Sequence, residues 1–427
     1  MKGFCSIYLL LSVLTIHAFP IYIKVYAPNH IDHNVRWLKK TDYITNTAEI
    51  INETKVDSNG YFYLNGQFNE TELTEIAIGR SSGLLYIDSI TKNYEIVFPK
   101  DSLFDQNSLK KSSVQLIFLN LPKKDINTLL LNFNLYFDFF LYGDTSKLIR
   151  MAHHDAEFQD SLNQFKIFVS KKYGDNNIKY LHNYIRYEIA LLEQMAHQSK
   201  GEYYKFHLYN TYLKKHAINY NNDAYMQFFN LFYKDPFRVG GAEIYEKVRF
   251  AINNYNEIDK VKEALENCPY FTNKQISELA IIKGLYDAYN NSRFDLDHLL
   301  NMLEEIAKTS QWSTHQKIAK NTIKSIKKLH VGEPIPNLEI INQHQEIINI
   351  DQHKSKYIYI HFFATWNQSS LQEMEIIEKL NAEYDFVQFI SISLDHQNND
   401  LKEFLNENSN YKWDICYANN DQKIIDD

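Results

Sequence analysis

Residues 357–394 constrain the fold of this chain more than any other stretch. Tyr357-Ile-Tyr-Ile-His-Phe-Phe363 is an apolar run of strand length, followed by a short Ala364-Thr365 and the polar turn Trp366-Asn367-Gln368-Ser369-Ser370. Helical spacing then takes over, with Leu371, Met374, Ile377, Leu380 and Tyr384 on one face. The pattern predicts a strand over 357–363, a helix near 369–384, a strand over 387–394, a helix near 399–407 and a strand over 413–417. Alternating strands and helices fold as a sheet with parallel pairs and crossover helices.

At 427 residues the chain has room for about three units of roughly 150 residues each. A hydrophobic share of 44% with 23% charged residues is that of a globular protein and excludes wholesale disorder. With only 12 Gly and 8 Pro, long regular elements are favoured over loops. Residues 19–117 read as β: Ile21–Tyr26, Tyr61–Leu64, Glu75–Ile78, Leu84–Ile87 and Tyr94–Phe98 are short strand-like runs, and Asp57-Ser-Asn-Gly60 is a turn signal. Their spacing predicts a small β-sandwich-like unit. Over 118–330 the period becomes helical. Leu181, Tyr184, Ile185, Ile189, Leu192 and Met195 form one face, and Leu279, Ile282, Tyr286 and Tyr289 form another, with breaks at Gly240-Gly241 and Asn267-Cys-Pro269. Residues 331–427 open on a Pro-marked extended segment and carry the alternating strands and helices.

The net charge of −8 leaves no basic face for nucleic acid or anionic lipid. Ile323-Lys-Ser-Ile-Lys-Lys-Leu329 reads as the solvated end of a helix. The first 18 residues have the form of an export signal: Lys2, an apolar stretch from Phe4 to Leu14, and a cleavage site after Ala18. Export places the protein in the periplasm or cell envelope. The apolar stretch is shorter than the roughly 20 residues that span a bilayer, so no transmembrane segment is expected after cleavage. Of three cysteines, Cys5 leaves with the signal, and Cys268 and Cys416 are expected as separate buried thiols.

Gly332-Glu-Pro334-Ile-Pro336-Asn-Leu338, Phe362-Phe-Ala-Thr-Trp366 and Glu373-Met374 together resemble the TlpA-type thiol-disulfide oxidoreductases, an exported thioredoxin-like family. The order β-rich, helical, then thioredoxin-like is similar to longer members from Bacteroidetes-type bacteria. The resemblance implies an α/β thioredoxin-like terminal unit and a Trp-Cys-x-x-Cys redox site. This chain departs from it at the chemistry. Asn367 and Ser370 stand at the two cysteine positions, Glu375 at the usual helix-kinking proline, and His361 where many thioredoxins keep a buried acid. No proline follows Pro336, so the family's cis-proline loop has no counterpart, and the terminal unit is expected to be short at its C-terminal side, up to Ile425-Asp-Asp427.

Without sulfur, Asn367 and Ser370 cannot pass electrons by thiol–disulfide exchange, so no catalytic residue is expected; Trp366 and Glu373 are motif remnants. Ser370-Leu-Gln-Glu373 has the form of a capping box, which gives Ser370 a structural task. Asn367 can cap the same helix start. A helix N-terminus also attracts anions, a weaker reading here. A serine nucleophile needs a positioned base, and His361 is expected as a satisfied buried histidine facing away from Ser370. His153-His154-Asp155 reads as a solvated helix face, because adjacent histidines point about 100° apart. No phosphate loop, dinucleotide turn or Gly-x-Ser-x-Gly elbow occurs, so neither a cofactor nor a metal is expected. The expected role is binding or scaffolding with a protein partner of the cell envelope. The alternative is thiol–disulfide exchange through Cys268, Cys416 or a partner's cysteines.

Overall fold

The computed structural model describes residues 18–100, 110–143, 156–196, 201–335, 339–349, 357–395 and 398–418. The expected export signal, His153-His154-Asp155, the Pro336-Asn-Leu338 end of the lead-in and the segment around Ile425 lie outside them. Among the described residues, no helix is long and apolar enough to cross a membrane.

Among the described residues, nine strands come first: β1 (Phe19–Tyr26), β2 (Asn34–Lys40), β3 (Ala48–Lys55), β4 (Tyr61–Phe68), β5 (Glu72–Ile78), β6 (Ser81–Ile87), β7 (Asn93–Val97), β8 (Ser112–Val114) and β9 (Ile117–Phe118). They form two sheets, ordered β4-β1-β7-β9 and β3-β2-β5-β6-β8. Alternation sets the inner face: Ile21, Ile23 and Val25 of β1 meet Trp37 of β2, Phe62 and Leu64 of β4 and Ile76 of β5 in one core. β2 and β3 escape the sequence reading, because Arg36, Lys39 and Lys40 and the acids of β3 hide the apolar period.

Among the described residues, ten α-helices follow: α1 (Ile126–Tyr142), α2 (Ala156–Tyr173), α3 (Lys179–Ala196), α4 (Gly201–Leu208), α5 (Asp223–Phe232), α6 (Ala242–Tyr255), α7 (Ile258–Leu265), α8 (Lys274–Ala288), α9 (Leu296–Thr309) and α10 (Ser313–Lys327). They share one core, which Ile44 of the β-rich part joins. Gly241 starts α6 at φ 93°, where a side chain would be strained. Asp223 ties the β-rich and helical parts together: its carboxylate accepts from Tyr86 Oη at 2.9 Å and from Tyr180 Oη at 2.8 Å. Tyr86 N–H also donates to Asn127 Oδ1, and Asn127 Nδ2 donates to Tyr86 O.

The last part contains β10 (Glu339–Asn342), β11 (Ile347–Asn349), β12 (Tyr357–Phe363), α11 (Gln368–Glu383), β13 (Val387–Ser393), α12 (Asn398–Glu407) and β14 (Asp414–Tyr417). Sheet order is β11-β10-β14-β13-β12, with β12, β13 and β14 parallel and β10 antiparallel to both neighbours. The β10–β11 hairpin was not anticipated; the Pro-marked segment before it reads as plain linker. Phe363, Met374, Ile377, Phe389, Leu401, Trp413 and Ile415 pack under the two helices. Ile340, Ile348, Ile390, Ile392 and Cys416 form a separate cluster.

Candidate functional site

β12 ends on Phe363, and the chain turns through Ala364-Thr365-Trp366 into α11. Asp395 fixes this turn from the end of β13. Its Oδ1 accepts from Thr365 N–H and from Thr365 Oγ1, both at 2.9 Å, and its Oδ2 accepts from Ser393 Oγ at 2.7 Å. Asp395 is 1% exposed, so these bonds replace water entirely.

Asn367, not Ser370, caps the helix. Asn367 Oδ1 accepts from Ser369 N–H at 3.1 Å and Ser370 N–H at 3.3 Å. The expected Ser370–Glu373 capping box is therefore corrected: α11 begins at Gln368, which puts Ser370 inside its first turn. Ser370 Oγ is buried and donates back to Ala364 O at 3.2 Å and Asn367 O at 2.9 Å, while accepting from Ala364 N–H at 3.3 Å. Among the described residues its hydrogen-bond partners are backbone groups, not a side-chain base, and Ser370 is 9% exposed. An anion at this terminus would compete with Asn367 Oδ1 for two of its donors, which removes most of the basis for the anion reading. Replacing Asn367 by alanine frees those two N–H groups and should lower stability by about 1 kcal/mol in urea denaturation.

Glu373 takes a different partner. With a side chain 60% exposed, it places Oε2 3.1 Å from His361 Nε2. Ser391 Oγ lies 3.4 Å from His361 Nδ1 and accepts from Trp413 Nε1–H at 2.8 Å. One tautomer serves the set: Nε2–H donates to Glu373, and Nδ1 accepts from Ser391. Burial lowers the His361 pKa below its ordinary value, and Glu373 pulls it partly back. The order carboxylate, imidazole, hydroxyl has the outline of a nucleophilic triad. Ser391, however, is 0% exposed with its oxygen already engaged, so no substrate carbonyl reaches it. His361 is a satisfied buried histidine facing Glu373 and Ser391. The sequence signal for this network was thin: Ser391 and Ser393 recur at period two in an otherwise apolar strand and thus share a face.

Trp366 is half-buried beside the cap, and its Nε1 is buried without a hydrogen-bond partner among the described residues. Glu375 is exposed on α11. Cys268 and Cys416 are both buried, each in a different core. Burial, with Asp414 nearby, pushes the Cys416 thiol up to about 12, so it carries almost no thiolate at neutral pH. Among the described residues no three His, Cys, Asp or Glu side chains converge as metal ligands do.

No family model matches the chain, and no curated protein matches it. Among solved structures, the thioredoxin domain of a thiol-disulfide oxidoreductase from Bacteroides vulgatus is similar over 23% of this chain and 71% of that one, at 21% identity and a TM-score of 0.21. A thioredoxin-like protein from Bacteroides caccae is similar over 51% of this chain and 77% of that one, at 17% identity and a TM-score of 0.24.

Proposed function

We propose that this chain is an exported thioredoxin-like protein of the TlpA type that has lost its redox dithiol and works as a binding or scaffolding protein of the cell envelope. In this reading a signal of 18 residues precedes a β-rich domain (19–117), a helical domain (118–330) and a thioredoxin-like domain (331–427). The supporting observation is the condition of the turn between β12 and α11. Asn367 caps the helix and Ser370 is bonded to the backbone on both sides of the turn. Two cysteines in a redox protein would stand at these positions as an exposed attacking thiol and its partner; here both side chains are spent on holding the frame.

The reading through other cysteines has no support in the geometry. Cys268 and Cys416 are each 0% exposed, and attack on a disulfide requires an accessible thiolate. Reduction of insulin disulfides by the purified protein tests the proposal: no turnover above the reductant alone is expected.

A further inference from the structure

α1 carries large apolar side chains on its outer face as well as on its inner one. Its 17 residues include one charge, Asp138. Ile126, Leu130, Phe133, Phe140 and Leu141 face the core. The opposite face carries Leu131, Leu135, Phe139 and Tyr142, of which Leu135 is 66%, Phe139 74% and Tyr142 62% exposed. A surface helix of a monomer turns mainly polar residues outward; α1 turns out only Asn132 and Asp138 beside these four large apolar side chains, the pattern of a face that something covers. Tyr136 extends the patch sideways to Phe168 of α2, with ring centroids 5.2 Å apart.

We propose that this face pairs with the same face of a second copy of the chain about a two-fold axis running along α1. Two features select this occupant. The first is area: at about 200 Å² for a large apolar side chain, the six exposed residues present roughly 600 Å². Two copies then bury about 1,200 Å², the lower end of specific, stable interfaces, and each copy's roughly 600 Å² is at the top of the range for a monomer's largest patch.

The second is charge. Lys172 of α2 sits with its Nζ 4.7 Å from the Tyr136 ring, on one flank of the patch. Asp138 follows Tyr136 by two residues, which places it about 200° round the helix and roughly 3 Å along it, on the other flank. Both are exposed. A two-fold along α1 keeps height and exchanges flanks, so Lys172 of each copy meets Asp138 of the other. The patch complements itself. An anionic lipid surface, by contrast, would meet the acid Asp138 along one flank of the apolar stripe.

Sedimentation equilibrium of the full chain at about 50 μM tests this, with Phe139→Glu, Asp138→Lys, Lys172→Glu and the double reversal Asp138→Lys/Lys172→Glu. A dimer is expected for the unaltered protein and a monomer for Phe139→Glu. Each single reversal should weaken association roughly tenfold, because like charges then face each other, and the double reversal should restore it. Asp138 and Lys172 are exposed, so those arms stand even if Phe139→Glu fails to fold. A monomeric unaltered protein, with or without binding to anionic vesicles, overturns the proposal. So does a dimer whose single reversals have no effect, or whose double reversal fails to rescue.

Discussion

Asp395→Ala is expected to destabilise the terminal α/β part by about 3 kcal/mol. The carboxylate takes three hydrogen bonds, from Thr365 N–H, Thr365 Oγ1 and Ser393 Oγ, at a site closed to water. Alanine leaves a buried backbone donor and two hydroxyls to find new partners, and each unsatisfied buried donor costs roughly 1–3 kcal/mol. The loss should appear as a lower midpoint in urea at unchanged slope, together with faster hydrogen exchange at Thr365 N–H. Asp395→Asn, which can still accept at one oxygen, should lose less. An alanine variant as stable as the parent would show that the turn into α11 is held by packing alone.

Glu188→Gln should do the opposite in the helical part. Glu188 lies on α3, partly buried, and its pKa is raised to about 7 by burial first, then by the negative charges of Asp223 and Asp138. The folded pKa stands above the unfolded one, so the stability linked to this group is fully present below the ordinary carboxylate range. It is lost as pH rises through about 7. At pH near 8 the folded protein holds an unwanted charge, which glutamine removes. The variant should be more stable than the parent by on the order of 2–3 kcal/mol there, and close to it near pH 5. Paired denaturation curves at the two pH values measure this. A variant that is less stable at the higher pH would mean that ionised Glu188 has a compensating partner.

The regular elements of the last part were legible because strand and helix periods differ so sharply between Tyr357–Phe363 and Leu371–Tyr384. The sequence offers two caps for this helix, Asn367 and Ser370, because Asn and Ser are both strong N-caps and Glu373 completes a capping box with Ser370 on paper. Geometry decides for Asn367, because Ser370 Oγ is drawn back to Ala364 and Glu373 to His361. The Glu373–His361–Ser391–Trp413 network was not legible, since it joins residues up to 30 positions apart through a register between β12 and β13 that no local pattern specifies. The helical period puts Met195 on the face of Leu181 and Leu192, yet it is half exposed near the end of α3, where the period outlasts the contact. The outward face of α1 is hard to read for the converse reason: large apolar residues both inside (Leu130, Phe133, Phe140) and outside (Leu131, Leu135, Phe139) blur the period.

The central proposal, a thioredoxin-like frame without a working dithiol, is tested most directly by one measurement: insulin-disulfide reduction by the purified protein in the presence of dithiothreitol. The account predicts a rate equal to that of the reductant alone. It also predicts no change after alkylation of the unfolded, refolded protein at Cys268 and Cys416. Turnover that rises with protein concentration above the reductant blank would contradict it.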